Sequence, residues 1–196
     1  MRRVGITQRV ETVESYGERR DCLDQRWAEL LAGLGCLPVP VPNRVDARAF
    51  VEQLNLEALL FTGGNDLGAA PERDGTEAAL LDEGCRRSLP IVGVCRGLQL
   101  VNSHFGGSLR KVAGHVATRH PLSSERAIFS IEVNSYHGYA LDRLAPTLEA
   151  LAWAPDGTVE AAVHREHPIV AVMWHPEREE QPELEWLRRG LEGKLR

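Results

Sequence analysis

Pro90-Ile91-Val92-Gly93-Val94-Cys95-Arg96-Gly97-Leu98-Gln99 passes from a short apolar run into a stretch of helical character. A run of this length bounded by turn residues reads as a buried strand, and Leu98–Phe105 reads as a helix closed by Gly106-Gly107. Between them lies G-x-C-x-G, a nucleophile elbow with cysteine in place of serine. A strand that turns sharply into a helix strains the central residue and lifts its side chain above the C-terminal edge of a sheet. The flanking glycines relieve the crowding. The helix N-terminus faces the sulfur and favours a thiolate, and the Arg96 N–H is left to bind a developing oxyanion. Cys95 is the candidate nucleophile.

Outward from this segment, short apolar runs alternate with helical periodicities, which implies an α/β sheet. Strands are expected at Val4–Thr7, Cys36–Pro40, Ala58–Thr62 and Pro90–Val94, and later at Ile128–Val133, Leu148–Ala154, Thr158–His164 and Ile169–Trp174. Helices are expected at Cys22–Leu34, Asp46–Leu54 (with Asp46 as N-cap), Glu77–Arg87 and Pro182–Leu195, while Ser108–Ser123 reads as loop. There is no internal repeat or linker, and 196 residues suit one domain spanning the chain.

The chain is 43% hydrophobic and 26% charged with net charge −5, so it has no broad basic footprint for nucleic acid. No apolar run is long enough to span a bilayer, and the N-terminus lacks the apolar region of a signal peptide. A cytoplasmic location is the expectation. Cys22, Cys36 and Cys85 form no C-x-x-C pair and read as small buried hydrophobes. No metal site and no cofactor are expected.

A cysteine nucleophile needs a base, and the base needs a group that fixes its tautomer. His175 follows the apolar strand 169–174 and so lies at the sheet edge where α/β proteins place their chemistry. Glu177 is two residues on, so on an extended backbone it faces the same way. Thr62-Gly63-Gly64-Asn65-Asp66 follows another buried strand, and its paired glycines let the backbone turn an N–H toward a ligand. Gly64 N–H, with Asn65 beside it, is the second expected oxyanion donor. Gln99, one helical turn after Cys95, is placed to reach over the pocket. Asn134-Ser135-Tyr136 would meet the α-amino and α-carboxylate groups of a substrate. Arg9, Tyr16 and Arg19 follow the first strand and would line the mouth, where a stacking Tyr and phosphate-binding Arg suit a nucleotide. The roles of His115, His120 and His137 are left open: the first two lie in the loop-rich stretch and either line the pocket or bind nothing.

With these residues in hand, the chain resembles the class I glutamine amidotransferases over nearly its whole length. The resemblance rests on GGND at 63–66, GVCRGLQ at 93–99, VNSYH at 133–137 and MWHPE at 173–177. It implies a flavodoxin-like three-layer sandwich around a mostly parallel central sheet, a Cys95–His175–Glu177 triad, and cleavage of a γ-glutamyl amide through a thioester. Cys95-Arg96-Gly97 and VNSYH look like the free-standing γ-glutamyl hydrolases. Gly5–Arg9, Glu14-Ser15-Tyr16, Glu18-Arg19, Cys22-Leu23 and Glu177-Arg178-Glu179 are similar to hydrolases of γ-glutamyl-CDP-amidate. That likeness implies release of glutamate and cytidine diphosphoramidate in capsular polysaccharide biosynthesis. Two alternatives stand beside it: a glutaminase subunit passing ammonia to a synthase partner, and a catalytically silent α/β binding module. The oligomeric state is left open.

Overall fold

The short apolar runs become neighbouring strands of one sheet in the computed structural model, which describes residues 1–124, 129, 132–180 and 182–195. In chain order the elements are β1 (Arg2–Thr7), β2 (Arg9–Val13), β3 (Glu18–Cys22), α1 (Arg26–Gly33), β4 (Cys36–Val41), α2 (Ala47–Gln53), β5 (Ala58–Phe61), α3 (Pro71–Arg87), β6 (Ile91–Val94) and α4 (Arg96–His104). There follow β7 (Ser108–Lys111), β8 (Val116–Pro121), β9 (Ser123–Ser124), β10 (Glu132–Tyr136), β11 (Tyr139–Arg143), β12 (Leu148–Trp153), β13 (Val159–His164), β14 (Ile169–Val172) and α5 (Glu185–Leu191). The central sheet has eight strands in the order β4-β1-β5-β6-β14-β13-β12-β9. The first five run parallel, and β13, β12 and β9 continue it antiparallel.

Alternation along these strands builds two cores. Leu60, Val92 and Val94 pack with Trp27, Leu31 and Trp186 on the side of α1 and α5. Leu59, Phe61 and Ile91 pack with Val51, Leu80, Leu98 and Val101 on the side of α2, α3 and α4. The result is the expected three-layer α/β sandwich. None of the described helices is long and apolar enough to cross a membrane.

Several expected boundaries move. The helix placed at Cys22–Leu34 begins at Arg26, because residues up to Cys22 pair antiparallel with Arg9–Val13. This β2–β3 hairpin replaces a predicted loop. α3 starts at Pro71 rather than Glu77, with the proline in the first turn, where its missing N–H costs nothing. The stretch read as loop contains β7 and β8, which pair with β11 and β10. Asp46 caps α2 as expected, accepting from Ala49 N–H at 3.0 Å. Of the strand expected at Ile128–Val133, residues 128, 130 and 131 lie outside the described residues.

The elbow depends on close approach. A Cβ at Gly97 would lie 2.5 Å from the Phe61 carbonyl oxygen, and one at Gly93 would lie 2.9 Å from both Ala171 Cβ and the Gly97 carbonyl carbon. Gly97 is helical, so alanine there should gain about 1 kcal/mol of helix propensity. The clash with backbone outweighs it: Gly97→Ala is expected to lose about 1–3 kcal/mol in chemical denaturation. A stabilised variant would mean that α4 can move off β5.

Candidate active site

Cys95 sits at the C-terminal end of β6 with φ 53° and ψ −105°. Few non-glycine residues adopt positive φ, and the cost is met by surrounding packing. Its N–H donates to Val172 O at 2.8 Å and its carbonyl accepts from Leu98 N–H at 3.0 Å. The backbone of Cys95 is thus fastened to β14 on one side and to the first turn of α4 on the other. The Arg96 N–H opens that helix, where no intrahelical acceptor exists.

His175 leaves the end of the neighbouring strand segment, and its Nδ1 lies 2.7 Å from Glu177 Oε1. Glu177 does not reach the ring along an extended chain, as alternation suggested. It comes back from a 3₁₀ turn at Pro176–Arg178, for which His175 is the N-cap. Burial opposes the charged imidazole, but hydrogen bonds to Cys95 and Glu177 and their charges outweigh it and raise the His175 pKa to about 9. The imidazolium is therefore the favoured form beside the sulfur at neutral pH.

Gly63 brings the β5 loop against this pair: a Cβ there would sit 2.6 Å from His175 Cε1 and 3.4 Å from Cys95 Cβ. Gly64 has φ +83°, and a Cβ on it would meet Arg9 Cδ at 2.9 Å. Gly64, Cys95, Arg96, Gln99, Tyr136 and His137 line one small cleft of about 80 Å³. Cys95 is 6% exposed at its floor.

The other predicted site residues divide. Gln99 lines the cleft and donates from Nε2 to Tyr139 O at 3.1 Å. Tyr136 is half-exposed, edge-on to the His175 ring at 5.9 Å, with the Arg178 guanidinium 4.7 Å from its own ring. Arg9 lies against Gly64. Asn134 binds the His175 backbone: Nδ2 donates to His175 O at 2.8 Å and Oδ1 accepts from His175 N–H at 3.0 Å. Ser135 is fully buried, and its hydroxyl donates to His115 O at 2.8 Å, away from the cleft. Asn65 spends its amide on Val10, accepting from N–H at 2.8 Å and donating to the carbonyl at 2.9 Å. Tyr16 stands exposed on the hairpin turn, where its hydroxyl accepts from Arg20 at 2.6 Å. Arg19 pairs with Glu72 and lines a separate cleft with Asn43 and Arg44. Tyr16 and Arg19 are not brought into the Cys95 cleft, because β2–β3 pairing turns them elsewhere.

Sequence reasoning used only the backbone of Arg96. Its side chain is buried and pairs with Glu77 and Asp74, while Arg73, equally buried, binds Glu77 Oε1 at 2.9 Å. Arg73 also donates to Gly64 O and, at 2.7 Å, to Thr62 O. Two guanidinium groups and two carboxylates thus tie the elbow helix to the glycine loop. Burial lowers both arginines to about 10, so both remain charged at neutral pH. The i, i+4 spacing of Arg73 and Glu77 was the available signal. A second buried group, His115, His120, His137 and Glu160, gathers behind β10; it alone offers a metal-type donor set among the described residues. Burial pushes the Cys85 thiol up to about 11 and raises Cys36 as well.

Known proteins share this geometry's family. The family model for glutamine amidotransferase class-I matches residues 20–192, and the chain belongs to that family. It is 30% identical over 185 residues to the γ-glutamyl-CDP-amidate hydrolase of Campylobacter jejuni, covering 90% of each chain. It is 28% identical over 204 positions to the γ-glutamyl-γ-aminobutyrate hydrolase of Escherichia coli O157:H7, covering 82% of this chain and 80% of that one. A Thermoplasma acidophilum protein described as a GMP synthase subunit shares the fold with a TM-score of 0.75 at 21% identity, over 99% of this chain and 92% of that one.

Two outcomes follow from the buried charges. Removing one charge from a buried network leaves its partners uncompensated at about 3–5 kcal/mol. Glu77→Gln should lose an amount of that order in urea denaturation, and a loss under about 1 kcal/mol would mean that water screens the network. His175 has its pKa raised by folding, so its contribution is complete below about pH 6.5 and disappears as pH climbs through about 9. Unfolding free energy of the wild type should therefore fall over that interval relative to His175→Gln. Parallel curves would remove the coupling.

Proposed function

We propose that the chain hydrolyses a γ-glutamyl amide through a thioester on Cys95. The observation that carries this reading is Cys95 at positive φ on the β6–α4 turn, packed against Gly63 together with a His175 that Glu177 holds at 2.7 Å. Cys95 sulfur attacks the γ-carbonyl carbon, and the N–H groups of Arg96 and Gly64 receive the oxyanion. As the C–N bond breaks, the His175 imidazolium gives its proton to the leaving nitrogen. Glutamyl thioester remains. His175, neutral at this point, takes a proton from water; the hydroxyl adds to the thioester carbon, and as the C–S bond breaks glutamate leaves and the Cys95 thiolate stands again beside the His175 imidazolium. Glu177 holds Nδ1–H throughout and so keeps Nε2 toward the sulfur. Gln99 Oε1 is an acceptor for the substrate α-ammonium.

The finer reading names the leaving group. The relation to the Campylobacter jejuni hydrolase supports γ-glutamyl-CDP-amidate as substrate, giving glutamate and cytidine diphosphoramidate for a capsular polysaccharide. Arg9, paired with Glu11 at 2.8 Å, is the cation we assign to its diphosphate, since its side chain lies against Gly64, which lines the cleft. Four unpaired cysteines support a reducing, cytoplasmic setting.

The test is a panel of γ-glutamyl amides, including γ-glutamyl-CDP-amidate and γ-glutamyl-γ-aminobutyrate, given to the isolated chain. Glutamate release without a partner protein is expected, and Cys95→Ala should lower it by at least about 10³-fold with the fold unchanged. Silence toward the whole panel, with ammonia release only beside a synthase, would favour the glutaminase-subunit reading. Arg9→Ala should weaken only the nucleotide-linked substrate. Equal loss across the panel would remove Arg9 from leaving-group binding.

A further inference from the structure

His115, His120, His137 and Glu160 come from the turn before β8, from β8, from the β10–β11 link and from β13. All four are buried, and one donor atom from each lies within 4.8 Å of every other. Glu160 Oε1 is 3.4 Å from His137 Nε2, 3.7 Å from His120 Nε2 and 3.7 Å from His115 Nδ1. These separations are long for hydrogen bonds. Among the described residues, neither oxygen of Glu160, nor His120 Nε2, nor His137 Nε2 has a hydrogen-bond partner.

The outer nitrogens explain why. His115 Nε2 lies 3.0 Å from Asp156 Oδ2, His120 Nδ1 is 3.2 Å from Pro121 O, and His137 Nδ1 is 3.0 Å from Tyr139 O. Each of these oxygens is an acceptor, so each outer nitrogen carries the proton. In the neutral rings the inner nitrogens of His120 and His137 then present lone pairs toward a carboxylate that also offers lone pairs, while His115 Nδ1 has Ser135 Oγ at 3.4 Å beside it. Buried acceptors facing one another without a proton are costly. A cation resolves the conflict.

We infer that His115, His120, His137 and Glu160 bind one divalent transition-metal ion of the zinc type. Three imidazole nitrogens and one carboxylate oxygen form a donor set that suits zinc or its first-row neighbours. Metal–ligand bonds of about 2.0–2.1 Å in a tetrahedron place donor atoms about 3.3–3.4 Å apart. The His137–Glu160 pair already meets that edge, and the other two lie a few tenths of an ångström beyond it. Each histidine has the second partner that metal-bound imidazoles use to fix their tautomer, a carboxylate in the case of His115. Asp156, nearly half exposed, marks the side from which the ion enters. The ion would fasten β8 and β10 to β13. Because β10 carries Asn134, which holds both backbone groups of His175, it would also stiffen the wall behind the base.

The test uses the full-length chain, stripped with a chelator and titrated with zinc against a chromophoric competitor. One equivalent should bind, raise the melting temperature, and bind equally to Cys95→Ala. Cobalt in its place should give the visible bands of a tetrahedral nitrogen–oxygen site without a thiolate charge-transfer band. Asp156→Asn, which changes the outer partner of His115 while keeping an oxygen for the Thr158 N–H, should weaken zinc by about 10–100-fold. Glu160→Gln should abolish stoichiometric uptake. No uptake by the folded wild type would overturn the inference. So would zinc that binds Glu160→Gln and Asp156→Asn as tightly as the wild type, or zinc that is lost from Cys95→Ala.

Discussion

The close approach of α4 to the end of β5 is the constraint on which the site depends. With no side chain at Gly97, the first turn of the helix settles on the Phe61 carbonyl. That contact forces the chain at Cys95 to reverse within one residue, and positive φ is the result. Once the turn is fixed, the remaining geometry follows from the sheet. β5, β6 and β14 are adjacent and parallel, so their C-terminal ends deliver Gly63, Cys95 and His175 to one rim.

Two kinds of force then hold that rim. Apolar packing on both faces fixes the strands. Charge fixes what lies above them: Arg73 and Arg96, neutralised by Glu77 and Asp74, join the elbow helix to the loop that carries Gly64. The arrangement is expensive to dehydrate, and packed hydrophobic side chains would stabilise the fold as well or better. What it adds is direction. A guanidinium that donates to the Thr62 and Gly64 carbonyls fixes the peptides on either side of the Gly63–Gly64 unit.

The parts of the molecule visible in the chain were those written in neighbouring residues. Gly93-Val94-Cys95-Arg96-Gly97 announces its turn because glycine spacing and apolar patterning act locally, and Trp174-His175-Pro176-Glu177 does so for the same reason. The β2–β3 hairpin was hidden, since Arg9–Val13 and Glu18–Cys22 are largely polar and the Asn65 amide that fastens Val10 lies far along the chain. Asn134 and Ser135 were read as ligand contacts because polarity alone does not say which way a strand residue faces. One hydrogen-bonds the backbone of the base and the other points to His115. The histidine–glutamate group had no signal at all, as its members lie at unrelated spacings on β-elements that only tertiary pairing brings together.

Asn65 grips Val10 solely through the main chain, at its N–H and its carbonyl. A clasp of that kind is blind to side-chain identity. Residues of the hairpin can be exchanged one after another while the strap stays buckled beside the oxyanion loop. The molecule thereby separates a part that must be preserved from a part free to drift, and substrate preference can be rewritten at the rim without loosening the chemistry beneath it.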